Sequence, residues 1–400
     1  MSANPRSGPP THVVWDESML AYNFGANHPM NPVRLDLTAR LADGFGLFAR
    51  ENVTVEPSKV ATDRELETVH DAAYVAAVRR VSEHPDVPDE DRGLGTEDDP
   101  AFAGMHEASA RLAGASLQAA EAILSGAALH AVNFAGGMHH AARDRASGFC
   151  IYNDCALAIR HLLDKGVERV LYLDMDAHHG DGTQNIFWDE PRVLTISLHE
   201  TGMYLFPGTG YANEVGGPAA LGSAVNVAVP PRTGDAAWMR AFHAVVPQLA
   251  RAFKPEVVVS QHGCDGHARD MLSSLRLSVD AQRQMMLDVA GLVREVSGDR
   301  WLATGGGGYD VYNVVPRSWT HLLAVASGAP IPLEAEVPPA WRHYLRERYG
   351  QEGPLRMGDG AELWWRSWEV GYDPNDGVDR TVMATRKEVF PYYGLDPWFD

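Results

Sequence analysis

Cysteine is scarce in this chain: Cys150, Cys155 and Cys264 are the only three in 400 residues. An odd number at these spacings builds neither a disulfide framework nor a cysteine-type zinc cluster, and it points to a reducing compartment. Long hydrophobic runs are missing too. No stretch approaches the ~18 apolar residues that a membrane span needs, so no membrane partner is expected. The opening MSANPRSGPPTH has no basic head followed by an apolar run. No secretion signal is therefore expected, and a cytoplasmic location is. Basic charge is in deficit, with 34 Lys and Arg against 53 Asp and Glu and a formal net charge of −19. Such a surface repels polyphosphates, so no nucleic-acid partner is expected. A cationic substrate is tolerated or attracted, although acidity also serves solubility alone. No internal repeat is visible, and nothing in the text fixes an oligomeric state. What remains is ordinary globular stock, 45% hydrophobic and 22% charged, long enough to bury a large core.

Apolar, β-branched runs alternate with Ala- and Leu-rich stretches. Strands are expected over 12–15, 52–55, 130–134, 169–174, 193–198, 225–229, 256–261 and 301–304. Helices are expected over 34–48, 65–82, 101–126, 154–165, 235–253, 278–297 and 316–327. Strands separated by helices predict an α/β fold: one open, mostly parallel eight-stranded sheet with helices on both faces. Such sheets take ligands outside the carboxyl ends of their strands. Residues 83–99 read as a solvated acidic loop. Past about 330 the text changes. PIPLEAEVPPAW reads as a connector, and the remainder holds Trp341, Trp364, Trp365, Trp368 and Trp398, five of the ten tryptophans. That much aromatic surface predicts a tail packed on the body.

Chemistry gathers where the strands at 130, 170, 256 and 301 end. DMDAHHGDG (174–182) follows an apolar strand. Side chains alternate along an extended chain, so Asp174, Asp176 and His178 project to one side. Ligand types of this kind at a parallel strand's carboxyl end suggest a divalent metal site. A merely solvated loop accounts poorly for Asp174, Asp176, His178, His179 and Asp181 in so short a span. NFAGGMHHAARDRASGFCIYND (133–154) supplies His139 and His140, and paired imidazoles suit proton transfer near neutral pH. In SQHGCDGHARD (260–270), Asp265 follows a buried strand and would complete a set of two Asp and one His. TGGGGYD (304–310) lets the backbone turn tightly against a ligand. It is no phosphate loop, because no Gly-Lys-Ser/Thr follows. Tyr309 stands instead as a hydroxyl donor on a glycine hinge.

Taken together, these segments resemble the histone deacetylase family, in particular its bacterial acetoin-utilisation type. The likeness spans roughly 12–327. It rests on HPMNPVR (28–34), GGMHHA (136–141), SGFCIYND (147–154), DMDAHHGDGTQ (174–184), SLH (197–199), FPGTG (206–210) and GGGGYD (305–310). The resemblance implies the arginase/deacetylase fold. It also implies a zinc-dependent amidohydrolase that removes acetyl groups from lysine side chains of proteins or peptides. Fe(II) is an alternative metal, because carboxylate-rich sites discriminate weakly. On this likeness Asp176, His178 and Asp265 are the metal ligands, which leaves room for a water and a substrate carbonyl. His140 takes the water proton and returns it to the leaving amine, and His139 is its electrostatic partner. Asp174 stands behind His139 and Asp181 behind His140, fixing tautomer and orientation. Tyr309 stabilises the tetrahedral oxyanion. Phe149 and Phe206 sandwich the acyl-lysine chain, with Gly148 and Leu272 as further channel positions. Asp98, in TEDDP, is a rim carboxylate for the substrate backbone. Arg34 lies near an inner acetate-release cavity or, failing that, in a surface ion pair. A potassium ion is implied on Asp174, Asp176, His178, Ser197 and Leu198, and an outer cation near Phe187 and Val193. Residues 1–329 become the deacetylase catalytic domain and 330–400 a C-terminal extension outside the shared core.

Rival readings remain to be weighed. A two-manganese ureohydrolase needs patterns like GGDH and DAHxD, where this chain has GGMHH and DAHHG. A non-catalytic acyl-lysine reader has no need of His140 and Tyr309. A deacetylase of acetylpolyamines or another small acetamide stays open, because the same machinery cleaves any acetamide that fits. HGCDGHARD departs from the commoner text: His267 shapes the rim or lies on the surface. Cys150 and Cys264 are expected as buried small residues without a nucleophile's surroundings.

Overall fold

The computed structural model describes residues 8–400. Its eight strands are β1 (Thr11–Val14), β2 (Val53–Glu56), β3 (His130–Asn133), β4 (Val170–Asp174), β5 (Val193–Glu200), β6 (Ala224–Val229), β7 (Val257–Gln261) and β8 (Trp301–Thr304). They form one sheet in the order β2-β1-β3-β8-β7-β4-β5-β6. Every neighbouring pair is parallel, so the sheet expected to be mostly parallel is wholly so. The central strands read as continuous apolar runs, VLYLD and VVVSQ, and every residue in them is buried. Parallel strands need that pattern because helices cover both of their faces.

The helices are α1 (Val33–Gly44), α2 (Asp63–Leu66), α3 (Ala72–Glu83), α4 (Met105–Leu124), α5 (Asp154–Asp164), α6 (Asp181–Ile186), α7 (Asp235–Phe253), α8 (Val279–Val296), α9 (Val315–Ala326), α10 (Pro339–Tyr349) and α11 (Gly377–Val389). α4 and α5 pack on each other and on the strands; α1, α9, α8, α7 and α11 pack in succession as a second layer. Starts are capped by short polar side chains: Asn153 accepts from Ala156 N ahead of α5, and Ser278 from Ala281 N ahead of α8.

One expected helix, 65–82, is two. The chain leaves α2 at Leu66 and re-enters helix at Ala72. Tertiary hydrogen bonds outcompete helical continuity there. Asp71 N donates to Arg143 O (2.8 Å), and the buried His70 ring meets Ala142 O at 2.8 Å and Asn153 N at 3.0 Å. The break thus ties the second layer of loops to the segment carrying His139 and His140. α6, α10 and α11 have no counterpart among the expected helices.

Residues past 330 lie against α1, α7 and β6. Trp341 Nε1 donates to Leu37 O (2.9 Å). Trp368 is buried beneath the guanidinium groups of Arg240 and Arg386, and Trp365 stacks on His243 at 5.1 Å. Trp364 and Trp398 are exposed.

Candidate active site

The strands whose ends carry the chemistry, β3, β8, β7, β4 and β5, are adjacent in the sheet. Their carboxyl-end loops therefore converge on one place. From β4 come Asp174, Asp176, His178 and Asp181; from β7, Asp265; from β3, His139 and His140; from β8, Tyr309.

Asp176, His178 and Asp265 are all buried, and each offers a ligand atom within 4.8 Å of the others. Among the described residues they are the group of three that can hold a metal ion. His178 Nδ1 lies 2.9 Å from Asp265 Oδ2 and 3.2 Å from Asp176 Oδ1. Burial, and then Asp176, push the Asp265 pKa up to about 7. That is one carboxylate too many for the protein groups around it, and a cation among the three donors relieves it. A set of two carboxylates and one imidazole fits a catalytic divalent ion with open positions.

The donors are held firmly. Asp176 Oδ2 accepts from Gln261 Nε2 (2.7 Å) and Gly307 N (2.8 Å), and Asp265 Oδ1 from Ala177 N (2.9 Å). A side chain at position 307 would run into the Asp265 carboxylate, so glycine is required where β8's loop closes over the cluster.

His139 Nδ1 donates to Asp174 Oδ2 and His140 Nδ1 to Asp181 Oδ1, each at 2.7 Å, and the two Nε2 atoms are 3.1 Å apart. Burial disfavours charge on both rings, yet they end in opposite states. On His139 the carboxylates of Asp174 and Asp176 overcome burial and raise the pKa to about 9. On His140 burial and the neighbouring His139 lower it to about 4. His140 is thus neutral near pH 7, with its proton on Nδ1 toward Asp181. Such a pair can take and return a proton beside a fixed positive charge. The loop owes its shape to Asp154, which accepts from Gly137 N and Met138 N, and to Asn153, which donates to His139 O and Ala141 O.

A cavity of about 220 Å³ leads down to these groups, lined by Asp98, His140, Gly148, Phe149, His178, Leu205, Phe206, Leu272 and Tyr309. The walls are mostly apolar and the floor is polar. Gly148 has φ +57°, and a Cβ there would overlap the His140 ring. Tyr22 OH holds Phe149 O (2.7 Å), and Phe206 packs edge-on to His140 at 5.0 Å. Asp98 Oδ2 accepts from Gly148 N (3.2 Å), which fixes it at the rim. Tyr309 is placed by its own backbone, whose N–H donates to Asp270 Oδ2 (2.8 Å).

The remaining expected residues fall nearby. Ser197 pairs with Asp174 across β4 and β5, Leu198 follows it, and Ser197 Oγ is 2.8 Å from His199 Nδ1. Phe187 closes α6 and Val193 opens β5. Arg34 is no surface ion pair. It is buried, lies 5.0 Å over Trp319, and donates to Gly306 O (2.8 Å) and Gly308 O (3.3 Å). His267 is not on the surface: it is buried and faces Asp359. Cys150, Cys155 and Cys264 are free and buried, and burial pushes all three thiols up.

Residues 28–326 match the model of the histone deacetylase domain. The chain belongs to the histone deacetylase family. This deacetylase is 40% identical over 380 residues to the acetoin utilization protein AcuC of Bacillus subtilis, covering 94% of this chain and 97% of that one. It is 38% identical over 354 residues to the protein of that name from Staphylococcus aureus strain MW2, covering 87% and 90%. The Staphylococcus xylosus protein is 36% identical over 333 residues, covering 83% and 86%. The catalysed reaction is hydrolytic removal of an acetyl group. No helix among the described residues is long and apolar enough to cross a membrane.

Several groups that build this site carried no weight in the sequence reading. Gln261 ends a strand and holds Asp176. Tyr172 donates to Asp174 Oδ2 (2.7 Å), two residues earlier on the same face of β4, a spacing that sequence alone displays. Asp270 holds Tyr309 N from the end of the HGCDGHARD segment, where a lone carboxylate gives no local sign of that partner.

Proposed function

We propose that this deacetylase uses one zinc ion, held by Asp176, His178 and Asp265, to remove acetyl groups from lysine side chains of proteins or peptides. The observation that carries this reading is a mostly apolar-walled cavity leading down to the paired His139 and His140 and to a buried cluster of three possible metal donors. A divalent ion at such a cluster supplies Lewis acidity toward the amide carbonyl and lowers the pKa of water; Fe(II) suits the same donors. The protein's own groups do the rest. His140 Nε2 accepts the proton of the attacking water and passes it to the departing lysine nitrogen, while Asp181 keeps its proton on Nδ1. His139, charged and buttressed by Asp174, offsets negative charge as it develops. The Tyr309 hydroxyl donates to the oxyanion. Phe149, Phe206, Gly148 and Leu272 enclose the lysine methylenes and exclude water, and Asp98 receives the substrate backbone at the rim. Arg34 sits behind Gly307, where product acetate would leave.

A potassium ion on Asp174, Asp176, His178, Ser197 and Leu198, with an outer cation near Phe187 and Val193, belongs to the same proposal. So do a catalytic unit of 1–329 with an extension of 330–400, a cytoplasmic setting, and a place in acetoin utilisation taken from the relatives' names. The test compares metal-replete protein on acetyl-lysine peptides and on acetylpolyamines. The expected result is peptide turnover that chelation abolishes and zinc restores. Faster turnover of acetylpolyamines would assign a small-amine substrate instead, and turnover of neither would sink the proposal.

A further inference from the structure

Asp359 lies in the extension, outside the residues matching the deacetylase domain. Its carboxylate reaches the loop that carries Asp265. Asp359 Oδ2 accepts from His267 Nε2 (2.9 Å) and from Val279 N (2.8 Å), and Oδ1 faces Arg317 NH2 at 2.8 Å. The strap around it is fastened from both sides. Asp280 accepts from Asp359 N and Ala361 N, Arg317 donates to Gly358 O (3.1 Å), and His321 meets Met357 O at 3.2 Å. On the receiving side, Arg269 N donates to His267 Nδ1 (3.1 Å), which places the ring proton on Nε2, aimed at Asp359.

His267 sits at the middle of the loop. Two residues before it is Asp265; three after it is Asp270, whose N–H donates to His267 O (2.8 Å) and whose carboxylate holds Tyr309 N. Leu272, on the cavity wall, follows. The bond from the tail joins those of Leu277, which accepts from Ala268 N (2.9 Å) and donates to Gly266 O (3.0 Å), in holding the centre of a segment whose two arms supply a candidate metal donor and the anchor of Tyr309.

We propose that Asp359 and His267 are positioning residues, by which the C-terminal extension holds the Asp265 loop in metal-binding geometry. This rests on the metal reading above. The experiment measures the Zn(II) dissociation constant by competition with a chromophoric chelator, together with kcat and thermal melting. The proteins are the full-length wild type, H267L, D359A, D359N and the double variant H267L/D359A. H267L removes the proposed contact and leaves every other bond of Asp359 in place, so it carries the test if D359A fails to fold. Outer partners of metal ligands are worth about 10–100-fold, and this one acts through the backbone, so H267L and D359A should each weaken zinc about tenfold and lower kcat. The double variant should bind zinc no more weakly than the weaker single, because the His267–Asp359 bond is lost in each. D359N, which keeps an oxygen acceptor, should stay within about threefold of wild type. H267L binding zinc within about twofold of wild type, or additive losses in the double variant, overturns the inference. Wild-type protein that takes up no stoichiometric zinc would instead overturn the reading beneath it.

Discussion

The loops after β4 and β7 both carry candidate metal donors, yet their support differs in reach. The β4 loop adds short-range bonds of its own to its outside donors Gln261 and Gly307. Asp174 Oδ1 accepts from Asp176 N (3.2 Å), Asp176 Oδ1 from His178 N (3.0 Å), and Asp181 N donates to His179 O (2.8 Å). The β7 loop borrows its support. Ser273 Oγ holds Asp265 O (2.6 Å), Gln282 on α8 holds Cys264 O (3.1 Å), and Asp359 holds His267 across 92 residues of sequence. Short-range bonds come with the chain's own turn and cost little extra ordering. The bond to Asp359 exists only once the extension has docked. The β7 loop should therefore be sensitive to changes in the extension as well as to changes near the site.

The largest effect expected is at the β4 loop. D176A removes a donor that also receives Gln261, Gly307 and His178. Activity should fall by more than the ~100-fold that an outer partner costs, and metal analysis should find less than one zinc per chain. A variant keeping a tenth of wild-type kcat/KM would refute the assigned ligand set. Y309F comes next, with a loss on the order of 10²–10³ in kcat and little change in KM, since the lost donor acts on charge that appears only in the transition state. An equal rise in KM would mean that Tyr309 binds ground-state substrate. Q261A is smaller. It takes one of two outside donors from Asp176, and a drop of about tenfold in zinc affinity is expected by chelator competition. A drop equal to that of D176A would show that Asp176 depends wholly on Gln261 for its place.

The same contrast explains what the sequence displays. The strands were legible because a parallel sheet covered on both faces needs unbroken apolar runs, as in VLYLD and VVVSQ. The donors stood out because DMDAHHGDG packs them into one strand end, where alternation puts Asp174, Asp176 and His178 on one side. Their convergence with Asp265, His140 and Tyr309 follows from a strand order that no local pattern encodes; the family likeness supplied it. Asp359 and Gln261 were illegible because each acts through partners remote in sequence. The false continuity of 65–82 had the same cause: His70 and Asp71 bond to the segment around Ala142 and Arg143 instead of completing a turn.

The smallest effect separates charge from shape in the tail's grip. Burial opposes a charge on Asp359, but the hydrogen bond from His267, the Arg317 guanidinium and Val279 N together hold its carboxyl well below the usual range. Asp280, the other carboxylate facing it, is occupied by Asp359 N and Ala361 N. A group whose pKa is depressed on folding adds stability above its unfolded value of about 4, and that stability is lost as pH falls through the folded value. D359N keeps the acceptor and loses the titration. Wild type should therefore melt higher than D359N at pH 6, by about 1 °C if the charge is worth about 1 kcal/mol in a chain of this size, and the gap should narrow toward pH 3. The carboxylate is partly exposed, so salt should narrow it as well. A gap unchanged between pH 6 and pH 3 would mean that the strap grips the β7 loop through its hydrogen-bond geometry and packing alone.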